Sequence, residues 1–234
     1  STNGEAFQGG LAGAPHGAVW VTDHQTGGRG RRGRTWFSPP GVGLYLSVLL
    51  RPALAPTAAP PLTLACAVAV AEALERTLDL SPAVKWPNDL LLEGRKCCGI
   101  LLEMNAEPER IGFIVAGVGL NVRRTVLPSE VADTAIALES VTDAPLQRPQ
   151  LLANLLRALG RWVDRYVTEG MAPVRAAWRE RAAFLGEPVT IFAPNGELHG
   201  VAEDVDDTGA LQVRDAAGTL HPVLAGDVSL RPRT

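Results

Sequence analysis

The chain has 234 residues, 46% of them hydrophobic, enough for a substantial core in one large domain or in one domain plus a small one. A formal net charge of −3 argues against a general nucleic-acid binder, whose domain is usually strongly basic. Three cysteines, two of them adjacent at Cys97 and Cys98, make neither a disulfide framework nor a spaced zinc site and suit a reducing cytoplasm.

Thr2-Asn3-Gly4-Glu5 has the spacing of a capping box, with Thr2 as N-cap and Glu5 reaching back. It predicts a short helix broken at Gly9-Gly10. Strands are predicted over 18–22 and 43–50. Residues 61–79 predict an amphipathic helix with Leu62, Cys66, Ala69, Val70, Ala73 and Leu74 on one face, and Pro60-Pro61 suits its start. A short strand follows at 84–86, then a hairpin of 89–92 and 96–103 turning at Glu93-Gly94-Arg95. Residues 110–119 read as a strand ending in a glycine turn. Residues 123–147, with Pro128 and Pro145, read as a long loop able to move. Helices are expected at 149–168 and 171–185, with Trp162, Tyr166 and Trp178 as packing residues.

From Gly186 the pattern becomes short alternating segments at 189–192, 200–202, 210–213, 220–223 and 227–230. Asn195-Gly196, Thr208-Gly209 and Ala217-Gly218 mark turns between them. This predicts a small all-β barrel, and hence domains of 1–185 and 186–234. No apolar stretch nears the roughly 20 residues that span a bilayer, and no signal peptide is read. The chain starts at Ser1 without a Met, so a segment upstream of it is expected.

Four segments are unusually polar for strand ends and turns, where sheet proteins place ligands. They are Ser1-Thr2-Asn3; Gln25 through Trp36; Lys85-Trp86-Pro87-Asn88-Asp89 with Arg95-Lys96; and Gly117-Val118-Gly119-Leu120-Asn121. The second packs four arginines and three glycines into residues 28–34. Guanidinium groups grip phosphate bidentately, and glycines let backbone N–H groups approach an anion. Taken alone, an Arg/Gly run is more often solvated or RNA-binding, Lys96 is a surface residue beside a turn, and Gly117-Val118-Gly119 is a strand-end turn. Cys97 and Cys98 alternate on a strand, so at most one faces the core, and both read as small apolar fillers. Trp86 fits core and site equally. His16, His24, His199 and His221 have no partners spaced for a metal.

Taken in order, these segments, Lys96-Cys97-Cys98-Gly99-Ile100-Leu101 and the ending Gly226-Asp227-Val228-Ser229-Leu230-Arg231 resemble the biotin–protein ligase family over nearly the whole chain. The resemblance implies an α+β fold, a class II synthetase-like central mixed β-sheet flanked by helices, with a small C-terminal SH3-like β-barrel. It implies formation of biotinyl-5′-AMP from biotin and ATP, with Mg²⁺ accompanying ATP, then transfer to a lysine of the biotin carboxyl carrier domain of acetyl-CoA carboxylase. By the same resemblance Ser1, Thr2, Asn3, Gln25, Gly28, Arg29, Gly30, Arg31, Lys96, Gly99 and Gly117 form the biotin site. Arg31, Arg34, Trp36, Asn88, Lys96 and Asn121 meet ATP, and Lys96 and Arg31 are catalytic. Arg29 serves through its backbone, Arg32 is solvated, and Arg231 reaches back toward the nucleotide or the carrier. Monomers and edge-to-edge homodimers both occur in the family. Members usually carry a strand before Ser-Thr-Asn, and some carry a helix-turn-helix domain, which nothing here resembles. The rivals are a lipoate–protein ligase, whose Arg-Arg-Ser-Gly-Gly-Gly-type motif is not here, and a non-catalytic biotin- or nucleic-acid-binding module.

Overall fold

The computed structural model describes residues 1–193 and 196–230. Asn195 of the expected hairpin turn and Arg231 lie outside the described residues. In chain order the elements are α1 (Thr2–Leu11), β1 (Val19–Thr22), β2 (Gly43–Leu50), α2 (Leu62–Leu78), β3 (Ala83–Lys85), β4 (Asp89–Leu92), β5 (Arg95–Ala106), β6 (Ile111–Asn121), α3 (Ser129–Ala132), α4 (Arg148–Glu169) and α5 (Met171–Arg179). The short strands β7 (Pro188–Ala193), β8 (Gly196–Val205), β9 (Leu211–Arg214), β10 (Leu220–Val223) and β11 (Asp227–Leu230) follow.

Six strands form one sheet in the order β1-β2-β6-β5-β4-β3. Every pairing between these named strands is antiparallel. Parallel pairing enters through isolated bridges, Val84 with Ala182 and Lys96 with Ala135, so the expected mixing is confined to single contacts. Alternation along β2 sorts the two faces. Leu44, Leu46, Val48 and Leu50 join the large core beneath α2 and α4, whereas Leu49 joins Ala6, Phe113 and Val115 under α1.

Helix α1 starts one residue earlier than the capping box implies. Ser1 is the N-cap, and its Oγ accepts the Gly4 N–H at 3.2 Å. Nor does Gly9-Gly10 break it. A Cβ on Gly9 would sit 2.3 Å from Trp20, and one on Gly10 would sit 2.6 Å from Phe113. The glycines instead let the helix lie close against the sheet.

Helix α2 is buried nearly all round rather than amphipathic, with Leu64, Ala67, Val68 and Ala71 buried alongside the expected face. Its polar exceptions are paired: Glu72 with Arg161 and the Trp162 Nε1–H, Glu75 with Arg181. Contrary to the sequence reading, Pro56–Leu78 is long and apolar enough to cross a membrane by length and composition; 72% of an 18-residue apolar window within it is buried inside the protein, as for a core helix.

Both Cys97 and Cys98 are fully buried, which corrects the expected alternation. The β4–β5 register shifts between Leu90 and Leu91, pairing Leu90 with Cys98 and Leu91 with Lys96. Such a bulge sets two residues of one strand against one of the other. It sends both thiols inward and leaves the Lys96 side chain over Gly99 on the opposite face.

The stretch after α5 leaves the expected helix because Val84 takes it over: its N–H donates to Arg181 and its carbonyl accepts from Ala183. Trp162, Tyr166 and Trp178 are buried packing residues, as expected. The long loop at 123–147 is anchored by buried Ile136 and Leu138, carries α3, and pairs with Lys96 through Lys96 N–H to Thr134 and Ile136 N–H to Lys96.

The second sheet, order β10-β9-β8-β7-β11, is the small barrel-like unit. It is held to the rest by Asp204, which accepts from Arg175 and Arg179 of α5, and by its 206–209 turn, where Gly209 accepts the Trp86 Nε1–H at 3.0 Å.

Candidate active site

A cavity of about 850 Å³ opens on the α1 side of the large sheet. One wall is the N-terminus of α1. Asn3 is 5% exposed, and every polar atom of its side chain is used: Nδ2 donates to Leu101 O and Glu103, Oδ1 accepts from Ser47 at 2.6 Å. Ser47 also reaches the Thr2 hydroxyl, and Gln25 Oε1 accepts the Thr2 N–H at 2.9 Å. Directly beneath, Gly117 has no room for a side chain; a Cβ there would lie 2.0 Å from Asn3 Oδ1. Hydroxyl, amide and buried acceptor groups thus converge on a small polar end suited to a ring needing both donors and acceptors.

The opposite wall is the arginine loop, which folds as a short hairpin. Arg29 bridges Thr35, Gly30 N–H donates to Arg34 O at 2.7 Å, and Trp36 N–H donates to Gly28 O at 3.0 Å. Arg32 and Gly33 take positive φ to close it. Arg31 turns inward, donating to Asn88 Oδ1 at 3.0 Å, while Asn88 Nδ2 is fixed to Ile100 O at 2.8 Å. Burial pulls the Arg31 guanidinium below its ordinary range, opposed by Asp227 and Asp89. It remains a cation waiting for an anion.

Trp36 lies across the paired glycines Gly99 and Gly119, where a Cβ would come within 2.9 Å and 2.5 Å of the indole. Lys96 Nζ sits 5.3 Å from the centre of that ring and 2.6 Å from Asp89. Lys96 lines the same cavity as both walls. Asn121 and the 127–135 segment close the far side.

Residues 7–121 match the model of the biotin/lipoate A/B protein ligase family, and residues 184–231 match that of the biotin protein ligase C-terminal domain. A biotin–[acetyl-CoA-carboxylase] ligase from Paracoccus denitrificans is 38% identical over 93% of this chain and 92% of its own length. This chain belongs to the biotin/lipoate A/B protein ligase family. The bifunctional ligase/repressor of Escherichia coli is 37% identical over 92% of this chain, which spans 67% of that protein. Among solved structures, the Aquifex aeolicus biotin protein ligase in complex with biotin and ATP is similar at a TM-score of 0.84 and 28% identity, covering 99% of this chain and 94% of that one.

Of the residues that the family resemblance selects, Ser1, Thr2, Asn3, Gln25, Arg29, Gly30, Arg31, Arg34, Trp36, Asn88, Lys96, Gly99, Gly117 and Asn121 all line the one cavity. Gly28 does not. It packs beneath the loop, where a Cβ would meet the Trp36 carbonyl at 2.2 Å. Arg32 is not simply solvated: it donates to Asp227 at 3.3 Å, and Arg34 pairs with the same carboxylate. Sequence reasoning misses Ser47, Glu103 and Asp227. Ser47 had a signal, as the one polar residue within the apolar run of β2. Glu103 follows Gly99 and Leu101 on the same strand face, which a strand period alone would place near the site. Asp227 appears only within the ending that carries the resemblance and is given no site role there, because it comes from a different sheet.

Proposed function

We propose that this chain is an ATP-dependent ligase that activates biotin as biotinyl-5′-AMP and transfers it to a lysine of a biotin carboxyl carrier domain such as that of acetyl-CoA carboxylase. The observation that carries this reading is that Lys96, a polar wall built on the start of α1 and an arginine-lined wall share one cavity. In the first step a biotin carboxylate oxygen bonds to the α-phosphorus of ATP, the bond to the β-phosphate oxygen breaks, and pyrophosphate leaves. Bringing two such anions together costs about 1 kcal/mol per charge pair at 4 Å in water, and more in a drier site. Lys96 and Arg31 supply opposing charge where it develops. No side chain acts as nucleophile, because the substrates bring their own.

Thr2, Asn3 and Gln25 hold the ureido ring, with Ser1 capping the helix that presents them. Backbone N–H groups of Arg29 and Arg31 reach the carboxylate. Gly99 and Gly117 let Trp36, Lys96 and Asn3 close onto the sheet floor of the site. Arg34, Trp36, Asn88 and Asn121 meet ATP, with Trp36 offering an apolar face to adenine. ATP would enter as its Mg²⁺ complex, and Asp89, one of the carboxylates lining the cavity with Glu130, Asp133 and Asp227, would suit a cation bound through one or two carboxylates plus phosphates. In the second step the carrier lysine amine attacks the anhydride carbonyl, AMP leaves and a proton is released. The arginine loop and the 127–135 segment close over the adenylate and exclude water.

We take residues 1–185 as the catalytic unit and 186–234 as the barrel unit. The reducing cytoplasm suits its three buried free thiols, each pushed up by burial, Cys66 and Cys97 to about 12. The chain acts as a monomer or as a homodimer joined along β1, the sheet edge where Val19 and Val21 are exposed. Biotin-dependent ATP–pyrophosphate exchange tests the reading. Exchange with biotin but not with lipoate supports it. Biotin binding without exchange would leave a non-catalytic binder, and exchange with lipoate alone would leave the lipoate-type ligase.

A further inference from the structure

One carboxylate oxygen joins the two walls of the cavity. Glu103 Oε2 accepts from Asn3 Nδ2 at 2.8 Å and from Arg29 Nη2 at 2.7 Å. Asn3 belongs to the buried start of α1, and Arg29 to the base of the arginine hairpin. The two residues are otherwise built differently. Asn3 is locked by Ser47, Leu101 and the bare backbone of Gly117, so it has no freedom to follow the loop. The Arg29 side chain is 47% exposed, and its partner here is Glu103, itself 27% exposed. The bond that can open is therefore the one to Arg29.

We propose that Glu103 is a positioning residue for the ligase: it docks the arginine hairpin onto the rigid biotin wall through Arg29, and so sets how long the closed loop retains the adenylate. The inference rests on the reading of this cavity as a biotin-adenylating site. A carboxylate shared between a fixed amide and a movable guanidinium acts as a catch, since closing the loop needs only the second bond. Glu103 touches neither substrate in this account; it acts through Arg29 and Asn3.

Two properties separate this role from a merely structural one. The catch is an ion pair with one exposed partner, so salt screens it. It is also a pair, so removing either member has the same consequence. Glu103→Gln keeps an acceptor for Asn3 but removes the charge that draws Arg29. Arg29→Gln opens the same pair from the other side and leaves the Arg29 backbone in place.

The test measures dissociation of biotinyl-AMP formed in situ from biotin and ATP, in a low-salt buffer and in 1 M salt, for wild type, both single variants and the double variant. Wild-type exchange activity is established first; without it the underlying reading fails, not this one. In low salt each single variant is expected to release the adenylate about two- to fivefold faster than wild type, the range for a partly exposed ion pair. The double variant is expected to be no faster than either single one, and all four proteins to converge in 1 M salt. Calorimetric biotin affinity of Glu103→Gln is expected to match wild type, because Asn3 keeps its acceptor. Wild-type retention in low salt by either single variant, additive effects, or a defect that persists in 1 M salt would each overturn the proposal.

Discussion

Lys96 Nζ lies 2.6 Å from the Asp89 carboxylate, although continuing the Asp89–Gly99 register along β4 and β5 would set Lys96 opposite Leu92, on the other face. The bulge at Leu90/Leu91 brings the two to one face, and it also buries Cys97 and Cys98 behind them. The site's central cation is thus aimed by a local fault in the ladder, while Asp89 holds it in reach of the cavity.

Removing that cation should spare the fold and stop the chemistry. Lys96→Ala is expected to lower adenylate formation by at least about 10²–10³, the loss typical of one preorganised electrostatic group. Pyrophosphate exchange measures it. Exchange at the wild-type rate would remove Lys96 from the catalytic role.

Arg31 is expected to matter most for keeping the intermediate. Its guanidinium is partly buried and faces Asn88, not solvent. Arg31→Gly should release biotinyl-AMP and label lysines of bystander proteins, read by avidin blotting of a mixed-protein reaction. Labelling confined to the carrier domain would refute the lid role.

Gly117→Ala tests the packing of the biotin wall. Its Cβ would come 2.0 Å from Asn3 Oδ1, between residues that cannot give way. A loss of about 1–3 kcal/mol in denaturant unfolding is expected from overpacking, with biotin affinity falling as Asn3 is displaced. As a control, Gly160→Ala on α4, with no atom within 4 Å of the added carbon, should stabilise by about 0.5–1 kcal/mol. Equal effects at the two positions would show that close approach at Gly117 is unimportant.

Asp204 gives a pH-dependent test of how the barrel is attached. Burial acts to raise its carboxyl, but bonds from Arg175 and the Val205 N–H, with the charges of Arg175 and Arg179, outweigh this and hold it below the usual carboxylate range. A carboxyl depressed by folding adds stability above its unfolded pKa, about 4, and loses it as pH falls through the folded value. Asp204→Asn should therefore cost about 1.5–3 kcal/mol near neutrality, the range for hydrogen bonds to charged groups. The gap from wild type should narrow below about pH 4. Thermal melts across that range measure it, and a gap independent of pH would point to packing instead of the ion pair.

Much of this protein is readable from residue order. Strand β2 is legible because a run that is apolar but for Ser47, between Pro39-Pro40-Gly41 and Pro52, has no competing period, and β4, β10 and β11 lie where alternation and turn signals place them. The family, too, is carried by ordered motifs, since Lys96, Asn88 and Gly117 keep their spacing whatever the chain does between them. Three features needed the tertiary structure. Helix α2 reads as amphipathic because Glu72 and Glu75 are charged, but Arg161, Trp162 and Arg181 arrive from distant segments to neutralise them, so the helix is enclosed. The bulge that turns Lys96 outward is a property of two strands in register, and periodicity within either one is blind to it. The arginine loop reads as four similar cations, and only spatial neighbours divide them: Asn88 for Arg31, Glu103 for Arg29, and Asp227 for Arg32 and Arg34. Sequence determines which charges are present, but a charge's role depends on the groups within a few ångströms, and those come from parts of the chain up to 195 residues away.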